Sequence, residues 1–385
     1  MESMRPFLDF YGENRISPVA QNISDLKMHY GRRDALYRHL GIVPSFVRDR
    51  TVLEFGPGSG YNSIYTNSLK PARYILVEAN PTGLQHTSRL MAEYAGADSN
   101  YEIINSQIED SSIDDVFDIV LCEGVIPGQS DPKGFLRHIA EFVSPGGILV
   151  ITCMDSVSTL SEILRMLLGS IIVPPETTVE EKLAILRPYF RDHLSTLIGM
   201  SRPIDDWILD CVIQFLGGIS GELLSIHDAI DSIASEFDVY GSSPRFLTDW
   251  RWHKQICLDP NYNRIAIDLY YKNVHNLLDY RYVFETREIE ANLELINMCN
   301  SVKELHKSYA VERDAEILLE IKKNLIDLSK TIGTYAQETS KSVVDFISAI
   351  DDYLGSQTFP VNLGSFAPLF GRGQQYLSFV RRRLP

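Results

Sequence analysis

The chain has 385 residues, 44% hydrophobic and 23% charged, which is enough for one large globular domain or two modest ones. Its 36 basic and 51 acidic residues leave a net charge of -15, which repels phosphate backbones and sets nucleic acid aside as the default partner. Five cysteines without a Cys-x-x-Cys pair or a zinc-spaced histidine cluster imply a reducing compartment and no metal. The start MESMRPFLDF lacks a secretory pattern, and no apolar run is long enough to span a bilayer, so a cytoplasmic protein without membrane contact is expected.

In chain order, the first element is a helix-like stretch over 23–40 carrying His29, Tyr30, Arg32 and Arg33, preceded by Tyr11-Gly12-Glu13-Asn14. The run Thr51 to Phe55 then has the apolar, β-branched character of a buried parallel strand. Its acid is Glu54, and Gly56, Gly58 and Gly60 follow, with Tyr61 closing the turn and a helix predicted over 62–69. Glycine is needed where φ is positive or where backbone lies against a ligand. A dinucleotide fingerprint requires glycine where Tyr61 stands. The acidic-x-Gly-x-Gly-x-Gly pattern instead resembles the first motif of class I S-adenosylmethionine (SAM) dependent methyltransferases.

That resemblance implies that Gly56, Gly58 and Gly60 pass under the amino-acid end of SAM and that Glu54 meets its amino group. It gives the pre-strand helix a lid role for Tyr11, His29 and Tyr30, against the plainer reading of helix-face polarity. A second apolar strand, 74–77, ends in Glu78, an acid placed to accept both ribose hydroxyls, followed by the turn Ala79-Asn80. A third strand over 101–105 leads to Ser106 and Gln107. By the same resemblance they are the polar contact for adenine, with Ile108 against the ring.

The fourth strand, 117–121, ends in Cys122-Glu123-Gly124, where the family brings its chain close to the methyl group. Glu123 either orients SAM or the substrate, or caps the next segment. An amphipathic helix is predicted over 131–143, broken by Pro145-Gly146-Gly147, with a fifth strand over 148–152. The Leu- and Ile-rich stretch from 155 to 235 reads as several short helices. Its Trp207, Phe215 and Met200 are read as core in preference to a pocket lining.

A sixth strand over 237–240 runs into Pro244 to Lys254, where Arg251 and Trp252 offer a cation and a stacking plane and His253 is the candidate general base. The competing reading is a surface-anchoring turn. Residues 261–354 show long amphipathic helical patterning without a clean heptad. Residues 371–380 read as a glycine-led last strand, and Arg381 to Arg383 as a solvated tail.

The expected fold is α/β and Rossmann-like: the seven-stranded, mostly parallel class I methyltransferase sheet with an antiparallel last strand and large helical insertions. The expected divisions are a helical cap (1–50), a SAM-binding core (51–154), a helical lid (155–235), the remaining strands and tail (236–260 and 371–385) and a helical insertion (261–370). The expected activity is methyl transfer from SAM, releasing S-adenosylhomocysteine, to an oxygen or nitrogen of a small-molecule or sugar-type acceptor. Glu123-Gly124-Val125-Ile126-Pro127 is not the Asn/Asp-Pro-Pro-Tyr type motif of DNA-base amine methylation. A homodimer through the helical insertion is a further expectation. The alternatives are a SAM-binding scaffold acting through that insertion and an aminopropyl transferase, whose paired aspartates are missing after the fourth strand.

Overall fold

The computed structural model describes residues 6–383 except 18, 97, 128 and 220, so the first five residues of the expected cap and the last two of the tail lie outside the described residues. The chain divides into two compact units, one of residues 1–155, 221–270 and 374–385, the other of residues 156–220 and 271–373.

The first unit is built on seven strands: β1 (Thr51–Phe55), β2 (Arg73–Glu78), β3 (Tyr101–Asn105), β4 (Phe117–Cys122), β5 (Val143–Cys153), β6 (Phe237–Ser243) and β7 (Gln375–Arg381). Their order is β3-β2-β1-β4-β5-β7-β6. β1 to β5 are joined by parallel pairings, whereas β7 runs antiparallel to both β5 and β6. Central strands covered on both faces read as unbroken apolar runs, as Val52, Leu53 and Phe55 do, all with no exposed surface. β3, at one edge, has no fully buried position: Tyr101, Ile103 and Ile104 are partly buried, Glu102 and Asn105 exposed.

Helices start where their sequence caps them. Asp25 accepts the amide of Met28 at the head of the helix Leu26–His39, and Asp131 accepts that of Gly134 at the head of Pro132–Glu141. Asn80 accepts the amide of Thr82, with Pro81 at the first position of the helix Pro81–Tyr94. Tyr37 and Leu40, from the first of these helices and its end, join Val52, Leu76, Leu121 and Val150 in one core against the sheet.

Two elements depart from their sequence reading. Pro145-Gly146-Gly147 does not break the chain before β5 but lies inside it, as an irregularity where pairing with β4 shifts from Phe117↔Val143 to Ile119↔Ile148. Extra residues on one strand are absorbed as a bulge, which glycine tolerates and proline survives where no ladder donor is needed. The last strand begins at Gln375, so Gly371 to Gln374 precede it.

The second unit is helical, with Leu160–Ile172, Val179–Ser195, Ile204–Cys211, Ile289–Glu312, Ala315–Gly333 and Gln337–Ser356 as its α-helices. The apolar run at 166–175 ends the first of these helices, whose residues are almost all buried. Trp207 packs edge-on to Phe190 at 5.7 Å and to Phe370 at 6.3 Å, within the core of this unit. Arg165, with no exposed surface, donates to the carbonyls of Ser161, Ala367 and Leu369 and lies 3.9 Å over the Phe370 ring. Among the described residues, no helix is long and apolar enough to cross a membrane, and no cluster of side chains is suited to a metal ion.

Candidate functional site

At the carboxyl end of β1 the chain turns through Gly56, Gly58 and Gly60, whose φ values are +66°, +60° and +80°. At Gly58 an added Cβ meets the Val19 side chain at 2.7 Å, and the amide of this glycine donates 2.7 Å to Oε2 of Glu78. Gly83, on the helix behind β2, lets that helix approach the turn, since a Cβ there meets the Gly58 carbonyl oxygen at 2.8 Å.

Glu78 ends β2 and is 5% exposed. Its other oxygen accepts the amide of Asn80 at 2.7 Å, so one carboxylate ties the glycine turn to the turn after β2. Burial pushes its pKa up to about 7, against the lowering effect of those two amide bonds. Glu54, also 5% exposed, accepts the hydroxyl of Tyr74, and burial likewise pushes it up to about 7. Neither carboxylate has an ion-pair partner among the described residues. After β3, Ser106 donates to the carbonyl of Gln107 at 2.8 Å, Ile108 is buried, and the side-chain oxygen of Gln107 is buried without a hydrogen-bond partner.

Glu123, after β4, meets Arg33 in a two-pronged ion pair at 2.6 and 2.9 Å and accepts from Asn62 at 3.2 Å. Burial alone lowers the guanidinium pKa, yet the Glu123 charge and hydrogen bonds raise it well above its ordinary value. Gly124 follows with φ +76°, its amide donating 2.8 Å to Thr152 on β5.

The pre-strand segment lies along this site. Ser17 and Ser59 share a hydrogen bond at 2.8 Å, the Ile16 carbonyl accepts from Asn80 at 3.0 Å, and Gln21 donates to Asn62 at 3.3 Å. His29 is buried, its Nε2 2.7 Å from the Tyr61 carbonyl and its Nδ1 without a partner. A carbonyl only accepts, so Nε2 carries the proton. Burial lowers the ring's pKa and keeps it neutral.

The remaining sequence candidates lie at various depths. Ala79 is half-buried between Glu78 and Asn80. Tyr30 packs edge-on to Tyr65 at 5.5 Å, and Tyr11 is half-buried with its ring edge-on to Phe10. Arg251 forks onto Asp249, at 2.7 Å from Nη2, and donates to the Asp259 carbonyl. Trp252 is 57% exposed, with His253, also exposed, edge-on to it and Lys254 4.8 Å over its ring. Arg33, Asn62, Ser17 and Ile16 escaped the sequence reading as site residues. Only the heptad-free i, i+4 spacing of His29 and Arg33, one helix face, hinted at the first of them.

The buried groups gathered here are acceptors: two carboxylates without an ion-pair partner among the described residues, and an amide oxygen without a hydrogen bond, at or beside the ends of β1, β2 and β3. SAM presents donors to match, an ammonium, ribose hydroxyls and an adenine amine. The residues present therefore fit it.

Residues 28–188 match a family model described as a methyltransferase domain. No curated protein matches the chain. Among solved structures, the N-methyltransferase NodS from Bradyrhizobium japonicum, in complex with S-adenosyl-L-homocysteine, aligns at 15% identity and TM-score 0.32 over 40% of this chain and 75% of its own. The [4+2]-cyclase SpnF aligns at 10% identity and TM-score 0.38 over 92% and 80%. A putative methyltransferase from Thermoplasma acidophilum aligns at 23% identity and TM-score 0.25 over 28% of this chain and 45%, less than half, of its own length. At such scores these likenesses say nothing of the acceptor. The glycine turn, the strand-end acids and the sheet order accompany that family match: residues 28–188 are similar to a methyltransferase domain.

Proposed function

We propose that this protein methylates an oxygen or nitrogen of a small-molecule or sugar-type acceptor. The observation that carries the SAM-dependent part is the row of buried acceptors at or beside successive strand ends: Glu54 and Glu78, carboxylates without an ion-pair partner among the described residues, and the Gln107 amide oxygen without a hydrogen bond. The acidic surface and the absence of the DNA-amine motif after β4 support a small acceptor over nucleic acid.

When bound, SAM supplies a methyl group already activated on a sulfonium. The protein's task is then to hold and orient. Glu54 is assigned to the ammonium. Glu78, each of whose oxygens accepts one amide and keeps a free lone pair, is assigned to the ribose, and Gln107 with Ile108 to adenine. Arg33, by pairing with Glu123, holds the pre-strand helix to the end of β4. A hydroxyl acceptor must also lose a proton, and His253 is the proposed base. The segments 155–235 and 261–370 are proposed to select the acceptor, and the latter to form a homodimer contact.

Isothermal titration with SAM, S-adenosylhomocysteine and NADH tests the cofactor, followed by an acceptor screen for methyl transfer. Micromolar SAM binding with turnover of a hydroxyl or amine compound is the expected result. Turnover confined to nucleic acid or protein would overturn the acceptor reading. His253→Ala should slow transfer without changing SAM affinity, and an unchanged rate removes that residue from the mechanism.

A further inference from the structure

Beside β6 lies a cavity of about 240 Å³ lined by His39, Tyr240, Ser242, Arg245 and Leu247, all within the first unit. None of these residues belongs to the cofactor site. Three of its polar side chains have unused capacity. The Ser242 hydroxyl is fully buried and has no hydrogen-bond partner. A buried hydroxyl left unpaired is costly unless something outside the protein satisfies it. Arg245 forms no hydrogen bond or ion pair among the described residues, although Arg251, Arg381 and Arg382 are each paired with a carboxylate. His39 uses Nδ1 on the Ser243 hydroxyl, at 3.2 Å; with that hydroxyl donating, Nε2 is left as an N–H donor.

The lining therefore offers donors and one fixed positive charge, and no carboxylate, in a chain whose net charge is -15. His39 ends a helix, whose terminal carbonyls disfavour an anion, but those of Leu36, Tyr37, Arg38 and Leu40 already accept hydrogen bonds from Leu40, Ile42, Gly41 and Ser378. Tyr240, 60% exposed, and Leu247 add an apolar wall. We propose that this cavity binds an oxyanion, the carboxylate or phosphate of a small molecule, through Arg245, His39 Nε2 and the Ser242 hydroxyl, with the apolar part of that molecule against Tyr240. The proposal does not rest on the methyl-transfer reading.

The test titrates the full chain with phenyl phosphate and, separately, with benzoate, in buffer free of both kinds of anion. One-to-one, saturable binding of either probe is expected, and the stronger of the two names the anion. Arg245→Gln should weaken it at least about tenfold, the loss of one charge-assisted hydrogen bond, and Ser242→Ala by a few-fold. Arg245 is exposed, so its variant should keep the wild-type Tm, which serves as the folding control. No saturation by either probe up to about 10 mM, wild-type affinity in a folded Arg245→Gln protein, or displacement of the probe by SAM would each overturn the proposal.

Discussion

Arg33 and Glu123, ninety positions apart, meet as a parallel fork: Nη1 lies 2.9 Å from Oε2 and Nη2 2.6 Å from Oε1, with only 7% and 10% of the two side chains exposed. A buried pair of this kind is weak evidence for net stability, because removing two ions from water costs much of what their attraction returns. Its consequence is asymmetric: breaking one side leaves the other charge buried and alone.

Arg33→Ala should therefore destabilise the protein by about 3–5 kcal/mol, read as a lowered urea midpoint. The paired replacement Arg33→Met with Glu123→Leu should recover most of that loss. If the single variant keeps wild-type stability, the pair does not form in solution.

Glu78→Gln keeps the size of the side chain but replaces one acceptor oxygen with a donor facing a backbone amide, either that of Gly58 or that of Asn80. The glycine turn should loosen, and SAM should bind about tenfold more weakly by titration. Affinity equal to wild type would sink the assignment of Glu78 to the ribose.

The two strand-end acids also set a pH dependence. Burial raises both Glu54 and Glu78 from 4.5 to about 7. A carboxyl whose folded pKa lies above its unfolded value stabilises the fold fully below the unfolded value and loses that contribution as pH rises through the folded one. The ligand-free protein should thus lose stability between pH 4.5 and about 7, by at most about 3 kcal/mol per group. Melting curves across that range should show a shallower fall in Glu54→Gln. SAM binding, which places an ammonium beside ionised Glu54, should tighten as pH rises from about 6 to about 8; a flat profile contradicts that placement.

Asn80 holds two structures at once, accepting from the Thr82 amide as a helix cap at 3.1 Å and donating to the Ile16 carbonyl at 3.0 Å. Asn80→Ala should cost about 1 kcal/mol for the cap. Because the neighbouring Ser17 is also tied to the glycine turn through Ser59, the variant should release SAM faster in stopped-flow measurements. Ser17→Ala should change the release rate in the same direction with little change in Tm.

Much of the sheet was legible because its signals are local. Strands buried on both faces need contiguous apolar residues, and the positive φ values after β1 demand glycine, so Val52 to Gly60 announces a strand and a glycine turn in nine consecutive residues. Glu54 and Glu78 are likewise readable, since each is the one acid at or next to the end of its own apolar run. The strand through Pro145 to Gly147 was not, because proline and glycine signal a break locally and only pairing with β4 turns them into a bulge.

The amino-acid sequence by itself determined the class of fold, the glycine turn and the acids at the carboxyl ends of β1 and β2, one residue before the end in β1, since each depends on backbone conformation and burial within a few residues. Tertiary structure alone decided that Arg33 neutralises Glu123, that Ser17 bonds to Ser59 in the glycine turn, that β7 inserts between β5 and β6, and that Ser242 and Arg245 share a cavity. Those relationships join residues far apart in the chain. Their partners are selected by distance and desolvation after folding, and no local pattern of side chains encodes that choice.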